Sequence, residues 1–440
     1  MKKAVITILG IQNPNYDENG DAHIKDYNHQ ATYYFENNPM EAKQYFNTLP
    51  LLINLYSKDY DIVPFYTEDA KNYNKEVLSH ANLTCMFNDK NSLIEDEKIY
   101  INIFSKIDTL LNKYDEVIID LTHGFRHLPI LAVIDLVIQN FKSNKKIKNI
   151  YFAKEIIKHT PIEAGEYEIV DLKEYLDIAS ISYVLSSFEN NYTISNNIKT
   201  INKDYQELIN MLSKFSEHIM ANSLINLFRG KDSLIERIIN VINSVITHKD
   251  SKPLRQNLIL IKEHLQDFIT LKSLNTYQQL FELSKIMNKK GYYLNSITLL
   301  NEAVSWYCAE NLCDYSKSFK KKYDQLKERN SYKLVSNSKN IIKFSFNGRE
   351  YKNDLKIDDI KDIQQLLRNI EGCEKFVKDL IEEVDKNRNN LAHANSDKQL
   401  SDIRKLFEKL FGRFNTYCLN KNILKKYKPT IKTLANKFNG

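Results

Sequence analysis

The chain has 440 residues, of which 42% are hydrophobic and 27% charged, and this composition excludes disorder or a collagen-like structure for the whole chain. Its length predicts roughly two to three domains at about 150 residues each, and its 10 glycines and 8 prolines, about 4% of the chain against a usual share near 12%, favour long helices. The net charge of +6 is compatible with an anionic ligand or RNA and requires neither.

The five cysteines are odd in number, and their spacings match no zinc-binding pattern. We therefore expect reduced thiols in a cytoplasmic protein. The apolar stretch at residues 4–9 is too short for the core of a signal peptide. No later run approaches the roughly 18 apolar residues of a membrane span, so we predict no membrane segment.

The first 170 residues alternate between strand and helix patterns. Residues 4–9 form a continuous apolar run that ends at Gly10, which is typical of a buried parallel strand. The elements predicted after it are, in chain order, a helix at 41–56 interrupted by Pro50, strands at 61–66 and 83–87, a helix at 96–114, a buried strand at 116–121, a helix at 130–141 opened by Pro129, and a strand at 149–153. This alternation predicts a mostly parallel sheet with helices on both faces.

After about residue 171 the periodicity is helical. The one predicted exception is a β-hairpin, with strands at 341–346 and 349–351 joined by Asn347-Gly348, because both residues of such a turn favour positive φ. Helices are predicted to resume at 358–390 and 397–419. The fold class expected from these patterns is α/β followed by all-α.

A first motif, residues 120–129 (DLTHGFRHLP), follows the predicted strand 116–121 and precedes a helix. Ligands of open α/β sheets bind at this edge, and a helix N-terminus there favours anions. Thr122 could donate its hydroxyl, Gly124 would allow close backbone approach, and Arg126 could hold a phosphate with two hydrogen bonds. The loop formed by Gly10, Gln12 and Asn13 lies on the same edge, so the two loops together could hold a nucleotide. The order of these loop residues is Gly10-Ile11-Gln12-Asn13.

Two other interpretations of the first motif stay open. Its polar residues could merely cap the following helix. His123 and His127, four residues apart, could also bind a metal ion, but that spacing requires a helix, and Gly124 and Pro129 favour a loop. We therefore predict no metal ligand.

A second motif, Arg388-Asn389-Asn390-Leu391-Ala392-His393, ends an amphipathic helix. Its residues suit RNA cleavage without metal, in which the 2′-hydroxyl of the RNA attacks and leaves a 2′,3′-cyclic phosphate end. His393 would relay protons, Arg388 would stabilise charge on phosphorus, and Asn389 would orient the phosphate or the histidine. Arg388 and His393 lie roughly 140° apart around an ideal helix, so a local bend or a second copy of the chain would be needed to bring them together. An ordinary helix end is the alternative.

The two motifs in this order resemble the CARF–HEPN ribonucleases of type III CRISPR systems, in the branch with an Asp-x-Thr-His-Gly-x-Arg motif in its CARF domain. The matching residues there are Asp120, Thr122, His123, Gly124 and Arg126. The second motif matches the HEPN pattern Arg-Asn-x-x-x-His at Arg388, Asn389 and His393. The family's Gly-rich loop appears here as Gly10-Ile11-Gln12-Asn13, which departs from the usual pattern.

The resemblance implies a division into three parts. Residues 1–175 would form a Rossmann-like CARF domain, 176–270 a helical linker region, and 271–440 a helical HEPN ribonuclease domain that contains the hairpin as an insertion. In the first part the resemblance implies that a cyclic oligoadenylate contacts the following residues: Gly10, Gln12, Asn13, Thr122, His123, Gly124 and Arg126.

The resemblance also implies the activity. A cyclic tetra- or hexa-adenylate would act as allosteric activator of a metal-independent, single-stranded RNA endoribonuclease in antiviral defence, without a cofactor. Such proteins are usually homodimers in which the CARF halves share one cyclic oligoadenylate and two HEPN motifs form one site, so the resemblance implies a homodimer or a higher oligomer. Three alternatives remain: a non-catalytic sensor of the cyclic nucleotide, a ring nuclease that degrades it, and a HEPN toxin that needs no activator.

Overall fold

The computed structural model describes residues 1–12, 14–26, 30–36, 38–93, 99–123, 147–158, 165–194, 199–200, 202–228, 230, 232–348, 351–393 and 399–425. The chain divides into two compact units. Unit 1 comprises Met1–Ser216 and Asn240–Ile261, and unit 2 comprises Glu217–Ile239 and Lys262–Gly440. The three-part division at residues 175 and 270 stays a prediction.

Strands occur in the N-terminal part of the described chain. They are β1 (Lys3–Ile8), β2 (Pro14–Tyr16), β3 (Ala22–Ile24), β4 (Ala31–Phe35), β5 (Asn38–Tyr45), β6 (Asp61–Phe65), β7 (Glu116–Asp120), β8 (Ile147–Ile157) and β9 (Glu166–Asp171).

Helices dominate the rest. They are α1 (Thr48–Tyr56), α2 (Glu68–His80), α3 (Ile99–Lys113), α4 (Lys173–Asn191), α5 (Lys203–Met220), α6 (Leu234–Ile246), α7 (Arg255–Thr270), α8 (Thr276–Lys289), α9 (Tyr293–Leu312), α10 (Lys317–Leu326), α11 (Ser331–Phe344), α12 (Ile360–Arg368), α13 (Cys373–Phe376), α14 (Glu383–Ala392) and α15 (Leu400–Phe414). Two π-helical segments, Val377–Glu382 and Asn415–Asn420, follow α13 and α15 directly.

Unit 1 contains a seven-stranded sheet of order β5-β4-β9-β8-β7-β1-β6. The pairs β1/β6, β1/β7, β7/β8 and β4/β9 are parallel, and β4/β5 and β8/β9 are antiparallel. The predicted fold class, a mostly parallel sheet followed by helices, is therefore confirmed. β2 and β3 form a separate small hairpin.

Both faces of this sheet are covered, which explains the continuous apolar runs Ala4–Ile6 in β1 and Val117–Ile119 in β7. Ala4, Ile6 and Ile8 of β1 pack into one core cluster, which also contains buried residues of α3. Val5 packs into another cluster on the opposite face, together with Leu51 and Leu52 of α1, which immediately follow Pro50. Successive side chains of a strand point to opposite faces, so one apolar run serves two cores.

The predicted helix at 41–56 is only half correct. Its first part is the edge strand β5, and the helix begins at Thr48 with Asn47 as its N-cap, whose side chain accepts a hydrogen bond from the Leu49 amide. Pro50 therefore lies in the first turn, where the missing amide hydrogen costs nothing. Residues 83–87, predicted as a strand, have no regular secondary structure. The predicted helix at 130–141 lies outside the described residues.

The predicted β-hairpin at 341–351 is wrong. Residues 341–344 form the last turn of α11, in which Ile341 and Ile342 are completely buried. Ser345 donates its hydroxyl to the Ile341 carbonyl over 2.8 Å, as expected at a helix end. Gly348 does have a positive φ of 71°, so the Asn-Gly signal marks a turn, but the turn follows a helix. Burial of the helical face outweighed the local hairpin preference.

No helix in the part of the chain that the structure describes is long and apolar enough to cross a membrane.

Candidate functional site

Asp120, at the end of β7, is the centre of the first candidate site. Its carboxylate is completely buried and accepts four hydrogen bonds. Oδ2 accepts from the hydroxyls of Thr7 (2.8 Å) and Thr48 (2.7 Å). Oδ1 accepts from the amide and the hydroxyl of Thr122, at 3.1 and 2.6 Å. One buried carboxylate thus joins β1, α1 and the loop after β7.

The Thr122 hydroxyl is engaged on both sides, because it donates to Asp120 and accepts a 3.0 Å hydrogen bond from the Ala153 amide. A hydroxyl has a single hydrogen to donate. A ligand could therefore approach Thr122 only with a donor of its own, and a phosphate oxygen could not use it while the bond to Asp120 persists. This geometry differs from the expectation that Thr122 donates to an anion.

His123 connects the same loop to the start of α1. Its Nε2 accepts a 3.2 Å hydrogen bond from the Thr48 amide, one of the amides at a helix N-terminus that have no partner within the helix. Burial lowers the pKa of His123, although Asp120 acts in the opposite direction. The imidazole is therefore a neutral acceptor. The sequence interpretation missed this structural use of His123, because Thr48 lies 75 residues away.

The loop after β1 lies at the same edge of the sheet, because β1 and β7 are parallel neighbours with Thr7 opposite Asp120. Helix α2 holds its backbone: Asn74 donates its side-chain amide to the Gly10 carbonyl over 3.1 Å, and the Tyr73 hydroxyl donates to the Gln12 carbonyl over 2.9 Å. The convergence of the two loops predicted from the sequence is thus observed for the described residues. Three of the predicted ligand contacts, Asn13, Gly124 and Arg126, lie outside the described residues.

The second candidate site is on α14, which carries Arg388 and Asn389 and has His393 as its C-cap. All three side chains are exposed. Asn389 Oδ1 accepts a 3.1 Å hydrogen bond from Arg388 Nη1, so Asn389 contacts the arginine rather than the histidine. The His393 amide donates to the Asn389 carbonyl over 3.0 Å, which is regular α-helical geometry. The local bend considered from the sequence is therefore absent between these residues.

The irregularity lies about two turns earlier. The π-helical segment Val377–Glu382 interrupts the helix that runs from α13 to α14. Within it Asp379 is bound by two residues near the end of α15: Tyr417 donates its hydroxyl to Oδ2 over 2.9 Å, and Arg413 Nη2 lies 3.6 Å from Oδ1. π-segments are rare and are frequent at functional sites. This one sets the rotation of α14 relative to the helix before it.

A buried charge network holds α14 from the side of α11. Lys339, which is 7% exposed, donates to Asp385 Oδ1 over 2.5 Å and to Asn301 Oδ1 over 2.7 Å, and Lys343 donates to Asp385 Oδ2 over 2.7 Å. Although burial acts to raise it, the two ammonium groups hold the pKa of Asp385 below its ordinary value. Asp385 lies one turn before Arg388, so this network positions the motif.

Glu302 on α9 is a further acidic neighbour of the motif. Burial raises its pKa, while Lys339 and Arg388 act to lower it. No motif in the sequence marks Glu302, because its relation to Arg388 arises only from the packing of α9 against α14. Within the described ranges, no group of three or more His, Cys, Asp or Glu side chains is arranged to hold a metal ion.

Comparisons with known proteins give one informative relationship. No protein-family model matches the chain. A curated protein of Methanocaldococcus jannaschii, "CRISPR-associated protein MJ1674", is 25% identical over 329 residues, which cover 69% of this chain and 48% of that protein. The chain thus spans about half the length of this relative.

Among solved structures, the chain is similar to "Enterococcus italicus Csm6 bound to cyclic hexa-2′-fluoro-hexa-dAMP". The similarity covers 100% of this chain and 98% of that one, with 15% identity and a TM-score of 0.37, which is too low to support an argument about fold or ligand. The sequence relationship to a CRISPR-associated protein agrees with the resemblance of the two ordered motifs to the CARF–HEPN proteins of type III CRISPR systems.

Proposed function

We propose that the chain is a cyclic-oligoadenylate-activated, metal-independent endoribonuclease that cuts single-stranded RNA in type III CRISPR defence. The observation that carries the proposal is the arrangement of α14. Arg388, Asn389 and His393 are all exposed at the end of a helix that is held one turn earlier by the charge network of Lys339, Lys343 and Asp385 and that follows a π-segment. A mere helix end would not need a buried Lys339–Asp385 pair, since burying such charges is costly.

The roles of the three residues follow from their chemistry. His393 would transfer a proton from the attacking 2′-hydroxyl or to the leaving oxygen. Arg388 would stabilise the negative charge that builds on the phosphoryl oxygens, with Asn389 orienting its guanidinium through the 3.1 Å hydrogen bond. The attack of the 2′-hydroxyl breaks the bond from phosphorus to the 5′ oxygen and leaves a 2′,3′-cyclic phosphate.

We propose further that two chains share one catalytic site. The helix continues to Ala392 without a break and His393 is its C-cap, so no bend within the motif closes the separation of roughly 140° that an ideal helix gives Arg388 and His393. A two-fold axis next to α14 would place the arginine of one copy beside the histidine of the other. A cyclic oligoadenylate, itself symmetric and anionic, would bind across the same axis between the loops at Gly10 and Thr122. We expect this dimer in the cytoplasm.

The decisive experiment is cleavage of a labelled single-stranded RNA with cyclic tetra-adenylate, with cyclic hexa-adenylate and with neither, all in excess EDTA. We expect one of the two cyclic oligoadenylates to accelerate cleavage. The products should carry 2′,3′-cyclic phosphate ends, and EDTA should have no large effect on the rate. A strict requirement for Mg²⁺ or Mn²⁺ would instead support a metal mechanism. Binding of a ring without any cleavage would leave only the sensor function.

The activator site has its own prediction. We expect Arg126→Ala and Thr122→Val to shift the activation curve to higher ring concentrations, with the maximal rate at saturating ring within a few-fold of the parent. Thr122→Ser is the matched control, since it keeps the hydroxyl that Asp120 and Ala153 contact. Titration of RNA cleavage against ring concentration measures the shift. Unchanged curves for both variants would mean that this loop is a structural turn.

A further inference from the structure

An open groove of about 530 Å³ lies in unit 2, beside the first turns of α11. This volume is within the range of ligand sites, roughly 300–1,000 Å³. Its wall is formed by α11 and by the segment 351–357 that follows the turn at Gly348. The lining residues that matter for its chemistry are Tyr332, Lys333, Asn337, Lys352, Asp354 and Lys356.

The groove is basic and carries an exposed aromatic ring. Lys333, Lys352 and Lys356 are all exposed, against one acidic lining residue, Asp354. The residues that the structure describes offer none of these lysines an ion-pair partner within 4 Å. Tyr332 is 75% exposed at the same place. Unpaired ammonium groups beside an uncovered ring are the features with which proteins hold single-stranded nucleic acid.

The segment that carries two of the lysines has a defined conformation. Asn353 closes it through two hydrogen bonds to Ile357: its side-chain amide donates to the Ile357 carbonyl over 2.8 Å, and its Oδ1 accepts from the Ile357 amide over 2.9 Å. Leu355 and Ile357 are buried. Lys356 has a left-handed φ of 53°, which is uncommon for lysine, and its backbone amide donates a hydrogen bond to the Asn353 carbonyl over 2.9 Å. The exposed lysines are thus presented by an ordered turn.

The same helix connects the groove to the motif. Lys333 lies near the start of α11, and Lys339, six residues or about 9 Å further along the axis, binds Asp385 of α14. Tyr351 also donates its hydroxyl to Asn337 over 3.0 Å, which fixes the segment to α11. A strand of RNA held in the groove would therefore be bound by the helix that positions Arg388.

We propose that this groove is an accessory binding site for single-stranded RNA, separate from the residues that cut it. Lys333, Lys352 and Lys356 would neutralise phosphates, and Tyr332 would stack on a base. The proposal rests on the proposed ribonuclease function and adds a second contact with the same substrate. The combination of point charges with an aromatic plane favours RNA over an acidic peptide.

The test uses the full-length His393→Ala variant, so that RNA is bound without being cut. Fluorescence anisotropy with a labelled 20-nucleotide poly(U) gives the Kd at several salt concentrations. Lys352→Ala/Lys356→Ala in this background is expected to weaken binding by about 10-fold and to lower the slope of log Kd against log salt by about 1.4, since each phosphate contact of a single strand contributes about 0.7. Tyr332→Ala is expected to weaken binding by about 5-fold or more, and Tyr332→Phe by much less.

Lys317→Ala/Lys321→Ala is the matched control, because it removes the same charge from exposed positions on α10 outside the groove. The inference would be overturned if the groove variants bound the labelled RNA with the same Kd as this control. It would also be overturned if polyglutamate displaced the labelled RNA as well as unlabelled RNA of equal charge does. The two proposals fail separately. If the groove variants lose RNA binding but the parent chain never cuts RNA, the groove proposal stands and the nuclease proposal is rejected. If the groove variants bind RNA normally and the parent chain cuts RNA, the nuclease proposal stands and the groove proposal is rejected.

Discussion

Replacing His393 by alanine is expected to lower ring-activated RNA cleavage by about 10²–10⁴-fold, the usual effect of losing one general acid–base group. His393 is exposed at the end of α14, so its removal should leave the fold intact. Binding of the cyclic oligoadenylate should stay within a few-fold of the parent. Single-turnover cleavage at saturating ring, together with a ring-binding titration, measures both quantities.

Lys386→Ala is a suitable control, because Lys386 is an exposed residue of the same helix outside the motif. Its cleavage rate should remain close to that of the parent. Arg388→Ala should behave like His393→Ala, and Asn389→Ala should lose less, since Asn389 acts through its hydrogen bond to Arg388. Near-normal cleavage by purified His393→Ala would reject the assignment of this motif as the catalytic site.

Replacing Asp120 by alanine is expected to destabilise the sheet of unit 1 by about 3 kcal/mol or more. The change leaves the hydroxyls of Thr7, Thr48 and Thr122 without their acceptor in a buried place, and each lost bond to a charged group costs about 1.5–3 kcal/mol. Hydrogen–deuterium exchange of peptides from β1 and β7 reports this loss locally. We expect exchange there to accelerate by about 100-fold, since each 1.4 kcal/mol corresponds to a factor of ten.

Asp115→Ala serves as the control, because this exposed carboxylate accepts one hydrogen bond, from the Lys2 amide over 2.8 Å. It should change exchange in β7 by less than about 10-fold. Thr48→Val removes a single hydroxyl and provides a milder variant if Asp120→Ala does not fold. Exchange in Asp120→Ala as slow as in Asp115→Ala would show that the four hydrogen bonds contribute little.

The elements predicted best from the sequence are those whose pattern is set by local burial. β1 and β7 were identified by their continuous apolar runs, and α3 by apolar residues at helical spacing within residues 96–114. The buried residues of β1 and β7, together with Ile107 and Leu111 of α3, pack into the cores of unit 1. Local sequence suffices there because the same residues define both the element and its buried face.

The prediction failed where a distant partner decides the local structure. Residues 41–45 look helical in isolation, but they belong to β5, which pairs with β4 as the edge strand of the sheet. The Asn347-Gly348 dipeptide favours a hairpin, but Ile341 and Ile342 are buried as part of α11, which outweighs a turn preference. Such choices depend on which surface is available to cover the apolar side chains, and that surface is built by residues far away in sequence.

The sequence by itself determined the class of fold and the two motifs around Thr122 and Arg388, because motif residues are close together along the chain. The tertiary structure alone decided what surrounds them. Asp120 binds Thr48 across 72 residues, and Asp385 binds Lys339 across 46. Both carboxylates are largely removed from water, where an unpaired charge is costly, so each needs partners that only the packing of separate elements can bring within hydrogen-bond distance.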